Sequence, residues 1–463
     1  MKRIKSLYWL FIILFYFLGS YGLFAQTPVR QVAPHRISFT IDTNIVKIPY
    51  YRNFTLGANV SSVYHAVIVI HGTMRNANDY YNYMLDAAFK GRSLNTAHLI
   101  MAPQFLVEND MSAHNLDSDV LFWTSAGWKR GDKSLSTPNF PVPEKMSSFA
   151  VIDSILLRLV QKYSNLDTII VVGHSAGGQF VQRFAAGSPL DSVITNEHGI
   201  ALRYITSNPS SYVYLNGERR VQGTIDQFDI PPAQQTIFIA YNDYKYGLEN
   251  LNSYMGSVGE EQIRRQYKNR NVIYLLGQDD NNPDDPSMDT SGPAMFQGYH
   301  RLERGIIYFN YLKYFYNDEI SDKHIRVIVP SVAHDGYGMF NSKCGVKYIF
   351  NSGYCDSVAL AVDHFYPKTL SNFSLKQNYP NPFNSETKID FTLISAMPVF
   401  IRIYDITGRL VKTVSDGKIF DAGSNSISWN GTDNQGNNVC SGIYLFKFTC
   451  GKFSGLKRMV LLR

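Results

Sequence analysis

Five residues, Gly173-His174-Ser175-Ala176-Gly177, hold a serine with a glycine two positions away on either side. This spacing suits a nucleophile. A turn sharp enough to expose a serine Oγ leaves no room for side chains at the flanking positions, and a helix starting just after the serine aims its first N–H groups at developing negative charge. Spacing alone is a weak signal, because glycine and serine are common in any turn, but the context strengthens it. Thr168-Ile169-Ile170-Val171-Val172 is a uniformly apolar, β-branched run that reads as a buried strand, and Gln179 to Ala186 reads as a helix. Together they predict Ser175 on a strand-turn-helix at the carboxyl edge of a sheet, poised for acyl transfer.

Acyl transfer also needs two amide donors for an oxyanion, a base, and an acid that orients the base. The amide of Ala176 follows the nucleophile directly. A second donor is expected on the loop leaving an earlier strand: Val67-Ile68-Val69-Ile70 runs into His71-Gly72-Thr73, where Gly72 permits close approach and makes the amide of Thr73 the candidate, with Met74 second. His71 itself reads as a structural, hydrogen-bonding histidine. Past the strand-like Val272 to Gly277 stand Asp279 and Asp280, and either carboxylate suits the acid. The base is expected after a late strand, where Ile325 to Pro330 is followed by Ala333-His334-Asp335. His364 is also downstream but has no clear strand before it. This chemistry requires no metal and no organic cofactor. The nearby Asp284, Asp285 and Asp289 raise the possibility of calcium, but Asp285 stands where a calcium loop needs glycine.

These residues need a scaffold. The chain has 463 residues, 45% of them apolar, and its 31 Tyr, 29 Phe and 4 Trp exclude a disordered polymer. Its length predicts two or three domains. The formal charge of +6 is unevenly placed: residues 1–25 carry +3, residues 371–463 carry +5, and residues 26–370 carry −2. The central segment therefore has no basic excess, which removes the main support for a nucleic-acid partner. Apolar strand-like runs (Ala66 to Ile70, Leu99 to Ala102) alternate there with helical spacing (Phe149, Ile152, Ile155, Leu156, Leu159), the pattern of a mostly parallel sheet with helices on both faces. Two insertions stand out: residues 106–147, with Trp123 and Trp128, and residues 200–270, a lid-like stretch with Tyr241, Tyr244, Tyr246 and Tyr254. For any one of these aromatics packing is the simpler reading, and gripping an aromatic or sugar-linked acyl group is the functional one.

Both ends read as addresses. Lys2, Arg3 and Lys5 precede an apolar run from Leu7 to Leu18 and a small-residue stretch ending at Ala25, the build of a signal peptide, and no second segment reaches membrane-spanning length. Export favours a bond between Cys344 and Cys355. Cys440 and Cys450 bracket a predicted strand about 30 Å long and should not pair.

Residues 371–463 have short alternating strands and turns such as Thr407-Gly408 and Asn434-Gln435-Gly436, which predict a small all-β sandwich. This segment resembles the type A sorting domain of the type IX secretion system. The resemblance is carried in order by Asn378-Tyr379-Pro380-Asn381-Pro382-Phe383-Asn384, Ile403-Tyr404-Asp405 with Gly408, Trp429-Asn430-Gly431, Ser441-Gly442-Ile443-Tyr444 and the ending Lys457-Arg458-Met459-Val460-Leu461-Leu462-Arg463. It implies passage across the outer membrane, with the secretion machinery as partner. The central segment resembles the α/β-hydrolase superfamily through the residues around Ser175, His71-Gly72-Thr73-Met74-Arg75-Asn76, Asn208-Pro209-Ser210-Ser211-Tyr212, Leu275-Leu276-Gly277 followed by Asp280, and Val332-Ala333-His334-Asp335. The resemblance implies a triad of Ser175, Asp280 and His334, because the acid stands three residues past the glycine. The expected activity is hydrolysis of carboxylic esters on small or polymer-linked substrates. A peptidase or amidase of the same fold, or a surface binding protein with an inactive hydrolase domain, are the alternatives.

Overall fold

A computed structural model of the chain describes residues 27–54, 63–91, 98–236, 240–320, 322–358, 374–393, 396–421, 423–450 and 453–463. The signal-like residues 1–25 and the boundary placed at 370/371 lie outside the described residues. Contacts divide the chain into two units, residues 1–359 and 360–463.

In the first unit eight strands form one sheet: β1 (His35–Ile41), β2 (Asn44–Arg52), β3 (His65–Ile70), β4 (His98–Pro103), β5 (Thr168–His174), β6 (Ala201–Ser207), β7 (Asn271–Gly277) and β8 (His324–Val329). Their order is β1-β2-β4-β3-β5-β6-β7-β8. β2 is antiparallel to both of its neighbours and every other pairing is parallel. This is the α/β-hydrolase fold. The strand-like runs of the sequence fall within these strands, except that Pro330 lies one residue past β8. One expectation needs correction: residues 201–207 belong to the sheet, so the second insertion begins only at Asn208. Ala201–Ser207 carries Arg203, Thr206 and Ser207 among its apolar and aromatic residues, a mixed pattern without the apolar run that marks β3 or β5.

Burial on both faces explains the apolar runs. Val67, Val69, Ile170, Val172, Ile205 and Leu275 share one core cluster with residues of α1 (Ala77–Lys90), α6 (Gly336–Asn341) and α7 (Lys343–Phe350). Their alternates Ile68, Ile169, Val171 and Leu276 are equally buried and point to the opposite face. There α2 (Ser148–Lys162), α3 (Ala176–Gly187), α4 (Glu260–Tyr267) and α5 (Arg301–Phe315) provide the cover. The predicted spacing in α2 buries Phe149, Ile152, Ile155, Leu156 and Leu159, and Ser147 caps it by accepting from the Phe149 N–H at 3.1 Å. Cys344, in the first turn of α7, is bonded to Cys355. Among the described residues, no helix is long and apolar enough to cross a membrane.

The second unit is a sandwich of two antiparallel sheets. One contains β9 (Ser374–Leu375), β10 (Thr387–Leu393) and β13 (Gly423–Trp429); the other has the order β12 (Leu410–Phe420), β11 (Met397–Asp405), β14 (Gly442–Cys450), β15 (Phe453–Leu461). Ile389, Phe391, Ile401, Ile403, Phe446 and Phe448 fill the space between the sheets. Phe383 and Trp429, from the sorting-type motifs, are both 2% exposed and lie in this core with ring centroids 5.5 Å apart. Cys440 is exposed and Cys450 buried, and both are free.

The glycines around Ser175 are fixed by contact. A Cβ on Gly177 would lie 2.2 Å from the Ile70 carbonyl oxygen, one on Gly178 2.5 Å from that of Ser207, and one on Gly173 2.4 Å from that of Gly177. Gly177→Ala should therefore destabilise the first unit by about 1–3 kcal/mol through overpacking. Urea denaturation would show this as a lowered midpoint, and an unchanged midpoint would refute the close approach.

Candidate active site

The parallel register places three loops side by side at the carboxyl edge of the sheet. Ile70 pairs with Gly173 and His174 with Ser207, so the chain leaving β3 at His71 and the chain leaving β6 at Asn208 flank the turn that carries Ser175. Ser175 has φ +58° and ψ −119°, a strained combination for a residue with a side chain. Its N–H donates to the Ser207 carbonyl at 2.9 Å, and its own carbonyl accepts from the Gln179 N–H at 3.0 Å. The strain is thus held from both sides.

His334 lies with Nε2 3.0 Å from Ser175 Oγ and Nδ1 2.8 Å from Asp280 Oδ2. A carboxylate only accepts, so Nδ1–H donates to Asp280 and Nε2 is left to accept from the serine hydroxyl. Asp280 is 3% exposed, whereas Asp279 is exposed and only its backbone N–H takes part, donating to the Val332 carbonyl. The structure therefore joins Ser175, His334 and Asp280 in one hydrogen-bonded chain and leaves Asp279 out. This geometry can pass a proton from a hydroxyl to an imidazole whose positive charge a buried carboxylate stabilises.

Other residues set the geometry, and the sequence had not singled them out for this role. Arg301, fully buried at the start of α5, donates Nη1–H to Asp280 Oδ1 at 3.3 Å and Nη2–H to Ser287 Oγ at 2.7 Å and Asp285 Oδ1 at 3.2 Å. Burial opposes ionisation of Asp285, but Ser287 and Arg301 hold its carboxyl down to about 2. Asn208 joins the acid and base loops: its Oδ1 accepts from the Gly277 N–H at 2.8 Å, and its Nδ2–H donates to the Ala333 carbonyl at 3.2 Å. Asp335 then caps α6, accepting from the N–H groups of Tyr337 and Gly338. A positive φ of +45° at Asn208 suits asparagine, a local clue; Arg301 is 21 residues from Asp280 and has none.

The loop bearing Thr73 is clamped. His71 Nε2 accepts from the Phe105 N–H at 2.9 Å, and its Nδ1–H donates to the Gly72 carbonyl at 2.9 Å. Complete burial lowers its pKa to about 4. His71 is therefore a neutral brace, as its structural reading predicts. Arg75, φ +58°, pairs with buried Asp110 at 2.9 and 3.1 Å and reaches the Thr73 carbonyl at 3.4 Å. His174 packs against His334, with ring centroids 4.7 Å apart; burial, with His334 and Arg301 nearby, pushes its pKa well down. His334 thus has an uncharged neighbour.

The aromatics of the insertions are tied into the fold, the tryptophans by burial and the tyrosines by their hydroxyls. Trp123 and Trp128 are fully buried. Tyr241, Tyr244, Tyr246 and Tyr254 donate their hydroxyls to the Gly217 carbonyl, the Arg130 carbonyl, Asp289 and Asp153, respectively. Among the described residues, no cluster of three His, Cys, Asp or Glu side chains suited to a metal ion occurs. A groove lined by Asp191, Thr195, Ala201, Asn271 and Lys323 opens at the amino ends of β6 to β8, the edge opposite Ser175.

The sheet order and the serine turn define the scaffold class, an α/β-hydrolase fold followed by an antiparallel sandwich. The chain is similar to the structure of a poly(3-hydroxybutyrate) depolymerase from Bordetella parapertussis, with 18% identity and a TM-score of 0.45 over 70% of this chain and 93% of the other. It is also similar to a poly(aspartic acid) hydrolase from a Sphingomonas species, with 21% identity and a TM-score of 0.43 over 69% of this chain and all of the other. Residues 379–451 match the FlgD Ig-like domain family. A fifth of the chain (21%) is similar to 12% of PorZ, a surface component of the type IX secretion system of Porphyromonas gingivalis, with 25% identity and a TM-score of 0.16. No curated protein matches the sequence.

Losing the Arg301 bond to Asp280 should cost about 1.5 kcal/mol, the value of a hydrogen bond to a charged group, and slow serine reactivity about tenfold. The rate of fluorophosphonate labelling of Arg301→Met against wild type measures this. Asp280→Asn should slow labelling far more, and Asp279→Asn should leave it within about twofold, as expected for a surface substitution. A stronger effect at Asp279 would reverse the choice of acid.

Proposed function

We propose that the protein is an exported serine hydrolase that cleaves carboxylic esters through an acyl-enzyme. The observation that carries this reading is the chain from Ser175 Oγ through His334 to buried Asp280, at 3.0 and 2.8 Å. His334 takes the serine proton as Oγ attacks the ester carbonyl, and Asp280 holds the tautomer and stabilises the imidazolium. The amide of Ala176, first in α3 and without an intrahelical acceptor, and the amide of Thr73 receive the oxyanion. His334 then gives its proton to the leaving alkoxide, and in the second half it activates the water that releases the acid.

A fluorophosphonate probe should label the wild-type protein and not Ser175→Ala, and that substitution should reduce nitrophenyl-ester turnover on the order of ten-thousandfold or more. Labelling that survives in Ser175→Ala would remove the serine from the mechanism. Faster cleavage of peptide anilides than of esters would make the enzyme an amidase.

Export rests on the signal-like residues 1–25 and on the ordered motifs of residues 371–463, read as a type IX sorting domain. Deleting residues 371–463 in the producing cell should trap active protein in the periplasm. Undiminished release into the medium would refute the sorting role.

A further inference from the structure

Besides Trp128, whose ring packs on His71 with centroids 4.6 Å apart, the two insertions bring cations to the loop that carries Thr73. Lys129 lies in the helical turn Gly127–Arg130 and donates Nζ–H to Thr73 Oγ1 at 3.3 Å. Its carbonyl accepts from Arg183 Nη1–H at 3.3 Å, and the Lys245 carbonyl accepts from Arg183 Nε–H at 3.3 Å. Arg183 is fully buried on α3, and its other acceptors, Gln179 Oε1 and Ser211 Oγ, are neutral. Arg304, also fully buried, donates to the carbonyls of Gly298 and Ser210 and to Met295 Sδ, again all neutral.

Counter-charge is sparse here: Asp289 acts on Lys129, Arg183 and Arg304 without pairing with any of them. Among the described residues Lys129, Arg183 and Arg304 have no carboxylate within salt-bridge distance. Asp289 is bound to Lys245 at 3.0 Å and to the Tyr246 hydroxyl at 2.8 Å. Burial, with Lys245 and Arg183 beside it, pushes the Lys129 ammonium down to about 8. Removing cations from water without a counter-charge is costly, and an anion arriving beside them offsets that cost where a neutral group cannot. Lys129 and Lys245 are both partly exposed, and it is the Lys129 ammonium that touches the loop assigned to the oxyanion.

We propose that Lys129, backed by Lys245 and Arg183, is a subsite for a carboxylate on the substrate, so that the enzyme prefers esters of dicarboxylic or polyanionic acids to neutral ones. The proposal rests on the ester-hydrolase reading for its reaction and on the cation cluster for its specificity. Lys129 contacts the carboxylate directly. Arg183 supplies field from the interior, and Asp289 limits the positive charge that Lys245 presents.

The test uses the full chain with two esters of matched length, 4-nitrophenyl hydrogen glutarate and 4-nitrophenyl valerate. Wild type should favour the glutarate ester by about tenfold or more in kcat/KM at low salt, the value of a charge-assisted hydrogen bond. Lys129→Met should abolish the preference mainly through KM, and Lys129→Arg should keep most of it. Asp289→Asn, which removes the local carboxylate, should raise it. A wild-type preference for valerate, or an equal loss on both esters in Lys129→Met, overturns the proposal; equal loss assigns Lys129 to holding Thr73. Calorimetric binding of glutarate to Ser175→Ala, compared with Ser175→Ala carrying Lys129→Met, separates the two readings. If wild type cleaves neither ester, binding that depends on Lys129 sustains the anion site while the hydrolase reading fails, and absence of binding overturns the anion site as well.

Discussion

The closeness of one helix to the ends of three strands governs the first unit. α3 begins where the backbone carbonyls of Ile70, Gly173 and Ser207 come so near that only hydrogen fits at positions 173, 177 and 178. That contact forces Ser175 into a positive φ, and the hydrogen bond from its N–H to Ser207 keeps it there. A serine on a relaxed turn would lie down along the helix. Here it stands away from the sheet, where an imidazole on a loop 159 residues later can meet it. The eight-stranded order serves the same end, because parallel neighbours deliver all their carboxyl-end loops to one edge.

Desolvation then sorts the histidines. His71, His174 and His324 are buried against backbone, aromatic rings or other imidazoles, and burial keeps each of them neutral. His334 remains partly exposed, faces a carboxylate and has uncharged His174 packed at a tilt beside it. An imidazolium forming there meets Asp280 on one side and no competing imidazolium on the other. Arg301 completes the set by giving Asp280 a second charged partner, which fixes the plane of the carboxylate.

Much of this was legible in the sequence, for a physical reason. Strands buried on both faces must be uniformly apolar, so β3, β5 and β7 announce themselves; β8, at the sheet edge with Ile325 and Arg326 exposed, shows a shorter apolar run at Val327–Val329, and the residues just past these strand ends are found by counting. β6 was missed because Arg203, Thr206 and Ser207 break its apolar run; Arg203 donates to the Tyr348 carbonyl, and Thr206 to that of Gly178. Choosing Asp280 over Asp279 from local sequence was impossible, as both lie within reach of a strand end. Direction decided it: the backbone turn buries one carboxylate and exposes the other. Arg301, Asn208 and Lys129 were illegible in their roles, because each acts on a residue far along the chain and carries no spacing that marks it.

The sandwich unit has a different kind of legibility. Phe383, Trp429 and Tyr444, which belong to its motifs, are interior positions: Phe383 and Trp429 pack at a tilt in the core, and Tyr444 meets Trp429 edge-on at 5.3 Å. Once the unit has folded, these three rings are withdrawn from any partner, while other members of the same motifs, such as Tyr379, Asn381, Asn430 and Arg458, stay at the surface. What the folded unit presents outward is a polar set on the same strands, such as Arg402, Lys447 and Arg458, together with Arg463, which ties back to the carbonyls of Asn430 and Gly431. The motifs thus divide into an interior part that certifies the fold and a surface part that stays readable once it has formed.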